Sequence, residues 1–213
     1  LRSGSFSAAS NVTGMRSPTG EIARLLHAHD AYACFDYAAS APYVEIDMNP
    51  ARDADGGDSS YDAVFISPHK FLGGPGSSGV LVFNERLYSR DLPPSVAGGG
   101  TVDYVSPVDQ DFIADIEERE KAGTPGVLQI MKAALAMDLK REIGVSRIEA
   151  REHELLRRAM QRWSANERIE ILGNPDPSRR IGIVSFNLRD VRGRYLHPKF
   201  VTVLLNDLFG IQS

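Results

Sequence analysis

Short apolar runs and one amphipathic segment alternate at the start of the chain. The runs "GSFSAAS" (residues 4–10) and "AYACFD" (residues 31–36) are predicted to form strands. Between them, "SPTGEIARLLHAHD" (residues 17–30) repeats apolar residues at helical spacing, and Ser17 is predicted to cap that helix. A strand, a helix and a strand in close succession predict a βαβ unit with parallel strands.

The same alternation continues through the middle of the chain. "DAVFIS" (residues 62–67) and "GVLVF" (residues 79–83) are predicted to be buried strands separated by a glycine-rich loop. Residues 124–144 then predict a long helix that Thr124 caps, Pro125 opens and Gly144 ends. Apolar residues lie almost all the way round this helix, so it is predicted to be buried.

The pattern changes after Gly144. A charged amphipathic helix is predicted at residues 145–166, followed by two strands and a further apolar helix. We therefore expect residues 1–143 to be part of an α/β large domain, with a mainly parallel central sheet flanked by helices. Residues 144–213 are expected to be part of a smaller α+β domain.

The composition of the chain argues against several classes of partner and site. The 213 residues carry a formal net charge of −4 without a run of lysines or arginines, so no nucleic-acid partner is expected. No apolar stretch is long enough to span a membrane, and no metal site is predicted. The single cysteine, Cys34, favours a reducing, cytoplasmic location. Both ends lack the features of natural termini, and the chain is predicted to come from a larger protein.

Polar and reactive side chains follow three of the predicted strands. Asn11 follows the first, Asp36 ends the second, and Ser67, His69 and Lys70 follow the third. Ligands of open α/β sheets bind outside the carboxyl ends of the strands, so these residues are expected to share one edge. Taken singly, each residue more often has a simpler role, such as a solvated lysine, a structural histidine or a cap at a strand end.

Together, the residues suggest a carbonyl cofactor. A lysine amine bonds covalently to carbonyl groups, and pyridoxal phosphate is held in this way with an Asp or Arg at its pyridine nitrogen. Ser67, His69 and nearby backbone amides offer donors to a phosphate. The loop "GGPGSSG" does not match a nucleotide-binding P-loop, because its lysine precedes the glycines.

The segment "SPHKFLGGPGSSGVLVF" (residues 67–83) strongly resembles the cofactor-lysine segment of the class V aminotransferase family, which contains cysteine desulfurases and selenocysteine lyases. "ASNVTG", "FDYAASAPY", "GGGTVDYV" and "DIEEREKAGTPGVLQIMKAALAMDLKREIG" resemble other family segments in the family's order. The resemblance covers nearly the whole chain. It implies a pyridoxal-phosphate-dependent transferase fold of type I.

The resemblance also implies a role for each residue at the predicted edge. Lys70 is implied to be the catalytic lysine that forms the Schiff base with pyridoxal phosphate. Asp36 is implied to pair with the pyridine nitrogen, and Ser67 and His69 to bind the phosphate. Asn11 is implied to lie near the phenolic oxygen of the cofactor and the substrate carboxylate.

A homodimer is implied too, in which Thr124 reaches the phosphate of the neighbouring subunit's cofactor. The sequence departs from the cysteine desulfurase pattern at Ala39, where those enzymes usually carry a glutamine, and in a long loop at residues 49–61. Cys34 is predicted to be a packing residue of its strand, not a sulfur carrier.

Two interpretations remain open from the sequence. In the first, the protein is a pyridoxal-phosphate enzyme acting on an amino acid, either desulfurase-like with a sulfur-acceptor protein or transaminase-like. The chain alone is expected to be inactive, because the family's sulfur-carrying cysteine and carboxylate-binding arginine follow the segment matched by its end. In the second, it is a non-catalytic fragment or remnant of the fold that serves as an interaction protein.

Overall fold

A four-stranded sheet organises the first half of the chain in the computed structural model, which describes residues 2–51 and 56–213. The strands follow one another in the sheet in chain order: β1 (Ser3–Ser7), β2 (Tyr32–Asp36), β3 (Ala63–Ile66) and β4 (Val80–Phe83). The first three strands are parallel, and β4 pairs antiparallel with β3. Helix α1 (Thr19–His27) connects β1 to β2, which confirms the βαβ unit.

The core packs small residues against a few large ones. Phe35 of β2 and Val64 of β3 are fully buried, and the ring of Tyr61 lies 4.7 Å from that of Phe35. Alanines at positions 23 and 33 are also fully buried, so α1 approaches the sheet closely. Burying a Phe or Val side chain contributes about 1.5–3 kcal/mol, so this cluster stabilises the packing of α1 on the sheet.

Local details differ from the predictions at the start of the chain. Strand β1 ends at Ser7, and Ala9 forms an isolated bridge with Arg16 instead of extending the strand. Ser17 does not cap α1, because its hydroxyl donates to the carbonyl of Ser7 at 2.7 Å and the helix begins after Pro18. The predicted loop at 49–61 lies partly outside the described residues.

The middle of the chain carries a hairpin and a long helix. These elements are β5 (Val102–Val105), β6 (Gln110–Phe112), the short α2 (Ile116–Arg119) and α3 (Val127–Ile143). Gly126 precedes α3, so the predictions that Thr124 caps this helix and Pro125 opens it are wrong. Gly144 ends the helix as predicted.

Helix α3 is not buried in this chain, contrary to its apolar pattern. Its buried residues are Ala133 and Ala136, whereas Leu128 and Leu135 are 77% and 65% exposed. Ala136 and the partly buried Met137 bring one narrow face of the helix onto the core, whereas Ile130 and Met131 are exposed together with the two leucines.

The last third of the chain contains α4 (Val145–Trp163), β7 (Ile169–Ile171), β8 (Phe186–Leu188) and α5 (Pro198–Phe209). Strands β7 and β8 pair antiparallel, and β8 is shorter than the predicted strand at 181–188. Residues 174–181 instead pack on the turn after β1, where Met15 and Arg180 form a bridge. The division into domains at Gly144 stays a prediction. Within the described residues, no helix is long and apolar enough to cross a membrane.

Candidate functional site

The register of the parallel strands aligns their carboxyl ends. Ser7 of β1 pairs with Asp36 of β2, which pairs with Phe65 of β3. Asn11 follows Ser7 by four positions, and Ser67 follows Phe65 by two. The turn after β1, the end of β2 and the loop after β3 therefore emerge from one edge of the sheet. This is where open α/β sheets bind their ligands.

Asp36 is exposed and its carboxylate is oriented by the backbone. It is the last residue of β2, and its Oδ1 accepts a hydrogen bond from the amide of Ala38 at 2.7 Å. Its main chain is fixed on both sides: the carbonyl accepts from Ala8, and the next amide, of Tyr37, donates to Phe65. In the described part of the chain, no side chain donates to Oδ2, which leaves that oxygen free for a ligand.

Lys70 ends a tight 3-10 turn, Pro68–Lys70, that directly follows β3. The amide of Lys70 donates to the carbonyl of Ser67 at 3.0 Å. The buried residues Pro68 and Phe71 anchor the turn on either side, whereas His69 and Lys70 are exposed. The lysine is thus held by a fixed backbone while its amine faces solvent.

The glycines after Lys70 close this turn. A Cβ at Gly74 would lie 1.8 Å from the carbonyl oxygen of Pro68, which is far inside van der Waals contact. The amide of Gly74 donates to the carbonyl of Phe71 at 2.9 Å. A residue with a side chain at Gly74 would push the loop away from the lysine turn, so the glycine is needed for the close backbone approach.

Asn11 lies in a compact turn after β1. The hydroxyl of Ser10 accepts hydrogen bonds from the amides of Val12 and Thr13 at 3.2 and 3.1 Å. Gly14 closes the turn by donating to the carbonyl of Ser10 at 2.9 Å. Asn11 is exposed at the tip, and no hydrogen bond of its side chain to another described residue is present.

Thr124 is not joined to the other candidate residues within this chain. It is exposed, on the segment that leads into α3. The neighbouring Gly123 bonds to Gly99, and α3 reaches the lysine loop through a hydrogen bond from Ser78 to the carbonyl of Gln129. Asn11, Asp36, Ser67, His69 and Lys70 therefore share an edge, whereas no hydrogen bond within the described residues joins Thr124 to any of them.

Sequence reasoning missed a buried charge cluster at the opposite end of β3. Asp62 is fully buried and accepts hydrogen bonds from His27 at 2.9 Å, the amide of Ala33 at 2.8 Å and Arg86 at 2.6 Å. Burial alone raises the pKa of Asp62, but these donors together hold it below its usual value. The cluster ties α1, β2 and the segment after β4 to β3, so it is a structural feature and not part of the edge.

Lys140 also has a role that the sequence did not indicate. Its Nζ donates to the carbonyls of Ala41 and Val44, both at 2.6 Å, and lies 5.7 Å from the ring centre of Phe71. Burial lowers its pKa. This lysine joins α3 to the turn after β2. It also contacts the ring of Phe71, the residue that anchors the Lys70 turn.

A cavity of about 380 Å³ lies away from the candidate edge. It is bounded by α4 and by the segment at residues 177–181, and its lining includes Tyr43, Glu152 and Arg180. Burial raises the pKa of both Tyr43 and Glu152. None of the six candidate residues lines this cavity. Asn11, Asp36, His69 and Lys70 are exposed, so the candidate site is an open surface of this chain.

The donor set of the edge fits pyridoxal phosphate. It combines an exposed amine, a carboxylate with one oxygen left for a donor, a hydroxyl, an imidazole and an amide. An aldehyde, a protonated ring nitrogen and a phosphate require these groups. No group of three or more potential metal ligands occurs in residues 2–51 and 56–213.

Comparisons with known proteins match the sequence over almost all of its length. The family model "Aminotransferase class-V" matches residues 4–207. A curated relative from Halalkalibacterium halodurans, named "Probable cysteine desulfurase", is 32% identical over 197 residues. That match covers 92% of this chain and 44% of the relative, so the chain spans less than half of the relative's length.

Solved structures share the fold. The apo structure of a cysteine desulfurase from Thermococcus onnurineus NA1 matches with a TM-score of 0.80 and 26% identity, over 97% of this chain and 48% of that one. The C-DES mutant K223A, solved with glycine covalently linked to its pyridoxal-phosphate cofactor, matches with a TM-score of 0.74 and 20% identity, over 97% of this chain and 51% of that one. The predicted α/β fold, with its mostly parallel sheet flanked by helices, is confirmed. The chain belongs to the class V aminotransferase family.

Proposed function

We propose that this chain is the cofactor-binding part of a pyridoxal-phosphate-dependent enzyme that acts on an amino acid. The observation that carries the proposal is the alignment of Asp36 with the end of β3, from which the rigid turn of Lys70 follows directly. The family match and the cysteine desulfurase names of the relatives support it.

The residues of the edge would divide the work of holding the cofactor. Lys70 would hold it covalently through its amine, and the free oxygen of Asp36 would accept a hydrogen bond from the ring nitrogen. Ser67 and His69 would donate to the phosphate, and Asn11 would face the phenolic oxygen and the substrate carboxylate. When bound, pyridoxal phosphate supplies an electron sink for charge that develops at the α-carbon. Once the amino group of the substrate has displaced it from the cofactor, the free amine of Lys70 would be the base at this edge that takes the α-proton.

Cysteine is the substrate that the relatives favour, since they are named as cysteine desulfurases. A desulfurase-like reaction would pass sulfur to a cysteine thiolate and then to an acceptor protein. Cys34 does not suit the carrier role, because it lies in the middle of β2 and burial raises its pKa. A transaminase-like reaction is the second candidate, because Ala39 replaces the glutamine that cysteine desulfurases usually carry at this position. The cytoplasmic location stays a prediction.

A homodimer is part of the same proposal. Thr124 is exposed and has no hydrogen bond to the described edge residues of its own chain, so its hydroxyl is available to the neighbour's phosphate. The apolar face of α3 is exposed and would be covered by a second subunit. The non-catalytic interpretation is not favoured, because Asn11, Asp36, Ser67, His69 and Lys70 lie at one edge of the sheet, on backbone with defined hydrogen bonds.

Product analysis tests the proposal. The longest natural protein that contains this chain is loaded with pyridoxal phosphate and given L-cysteine and a thiol reductant, or another amino acid with a keto acid. Alanine and sulfide in equal amounts support the desulfurase-like reaction, and a new amino acid with a new keto acid supports the transaminase-like one. Lys70→Ala should abolish either reaction, and Lys132→Ala, at an exposed position of α3, should not. A cofactor-loaded protein with neither reaction for any proteinogenic amino acid would contradict the proposal.

A further inference from the structure

The turn that carries Asn11 is held by a segment more than 160 residues further along the chain. The amide of Ile181 donates to the carbonyl of Gly14 at 2.8 Å, and the amide of Arg16 donates to the carbonyl of Arg179 at 2.9 Å. The hydroxyl of Ser185 donates to the carbonyl of Val12. The segment at residues 179–185, which is not part of the four-stranded sheet, therefore fixes both sides of the turn.

Arg180 is the centre of this connection. Its side chain is only 3% exposed, and its guanidinium donates to the carbonyls of Thr13, Asn174 and Ile183, the last two at 3.0 and 2.9 Å. It forms no ion pair with a carboxylate of the described residues. A buried cation is costly unless hydrogen bonds compensate for its lost hydration, so the three carbonyls must keep their positions around it. Burial lowers the pKa of this guanidinium.

A glycine lets the two segments meet. Gly14 has a φ of +74°, and a Cβ on it would lie 2.2 Å from the carbonyl oxygen of Ile183. Only a residue without a side chain allows the turn to approach so closely. The backbone of the turn at Gly14 therefore packs directly against the backbone at Ile183.

We infer that Arg180 is a positioning residue for Asn11. The side chain of Asn11 has no hydrogen bond to another described residue, so the turn alone sets where it points. By holding the carbonyl of Thr13, Arg180 fixes that turn, and the segment at residues 179–185 thereby controls one contact of the cofactor site. The inference rests on the proposed function, in which Asn11 faces the cofactor.

Hydrogen–deuterium exchange tests the structural half without any cofactor. In the apo protein, Arg180→Met should speed exchange of peptides within residues 10–16 at least tenfold while leaving residues 32–36 unchanged. Arg180→Lys keeps the positive charge but loses the fork geometry, and should give an intermediate effect. Arg179→Met is the matched control, because the side chain of Arg179 is exposed, and it should leave exchange unchanged.

Cofactor affinity tests the functional half. Arg180→Met should raise the dissociation constant of pyridoxal phosphate about three- to tenfold, the effect of one lost hydrogen bond. Asn11→Ala should raise the dissociation constant by a similar factor. The double variant should bind the cofactor as tightly as Asn11→Ala alone, because both changes remove the same contact. The absorption maximum of the bound cofactor should shift in the same direction in all three variants.

The outcomes separate this inference from the proposed function. Additive effects of Arg180→Met and Asn11→Ala, or unchanged exchange at residues 10–16, overturn the positioning role while cofactor on Lys70 still supports the function. If the wild type forms no adduct with pyridoxal phosphate, the proposed function falls, and the role of Arg180 toward the cofactor falls with it. If Arg180→Met does not fold, the milder Ser185→Ala decides, since it removes one donor to the same turn.

Discussion

At the residue scale, the described residues use charge in two different ways. Asp36 and Lys70 are exposed at the carboxyl edge of the sheet, where a ligand can reach them. Asp62 is fully buried at the other end of β3 and has all its partners within the chain. The first arrangement suits binding, and the second suits stability, because a buried carboxylate that loses its partners is strongly destabilising.

Asp62→Asn should lower the free energy of unfolding by about 3 kcal/mol at neutral pH, since the hydrogen bonds from His27 and Arg86 lose their charged acceptor. Urea denaturation at pH 7 measures the loss. Asp91→Asn, at an exposed position, is the control and should change stability by less than about 0.5 kcal/mol. Equal stability of Asp62→Asn and the wild type would contradict the structural role.

The same carboxylate predicts a pH dependence. The folded pKa of Asp62 is lowered, so between its folded and unfolded values the unfolded chain binds more protons. The stabilisation is therefore complete above the unfolded pKa of about 3.9 and is lost as the pH falls through the folded value. Denaturation between pH 6 and pH 2.5 should show a steeper loss for the wild type than for Asp62→Asn. Parallel curves would show that Asp62 does not contribute.

The sequence predicted the reactive residues of the edge better than the buried ones. Asn11, Asp36 and Lys70 follow β-prone runs, and strand order alone places such positions at one edge. Nothing near Asp62 in the sequence shows that His27 and Arg86 converge on it, because those contacts depend on how α1 and the segment after β4 pack. The roles of the edge residues remain predictions.

At the element scale, α3 contacts the segments that hold the Lys70 turn in place. Lys140, in its last turn, donates to two carbonyls of the turn after β2 and lies over Phe71, which anchors the lysine turn. Lys140→Met should therefore lower the free energy of unfolding by about 1–3 kcal/mol, because two buried carbonyls lose their donor. Thermal denaturation checks this against Lys132→Met, an exposed lysine of the same helix that should be near neutral. An equally small change in stability in both variants would show that the hydrogen bonds of Lys140 do not stabilise the fold.

Element types were more predictable than their environments. The apolar pattern of α3 predicted a helix ending at Gly144, which is confirmed, but the same pattern predicted a buried helix, which is wrong for this chain. Hydrophobicity alone does not show what covers a face, since a second subunit buries it as well as a core does. Caps failed for a related reason: Ser17 bonds to the carbonyl of Ser7, a partner set by the fold.

At the scale of the whole molecule, the exposed face of α3 predicts how the chain assembles. A homodimer that uses this face should dissociate in Leu128→Asp, because a charge would be buried in an apolar contact. Analytical ultracentrifugation measures the mass, with Val108→Asp, on the exposed turn between β5 and β6, as the control. A variant at Leu128 that remains fully dimeric would place the interface elsewhere.

Borohydride reduction tests whether Lys70 holds pyridoxal phosphate, because it makes the bond between the lysine amine and the cofactor permanent. The longest natural protein that contains this chain is incubated with pyridoxal phosphate, reduced, digested and mapped by mass spectrometry. We expect one stable adduct on the peptide carrying Lys70, its loss in Lys70→Ala and its persistence in Lys132→Ala. An adduct on another lysine, or no adduct in the wild type, would show that Lys70 does not hold the cofactor.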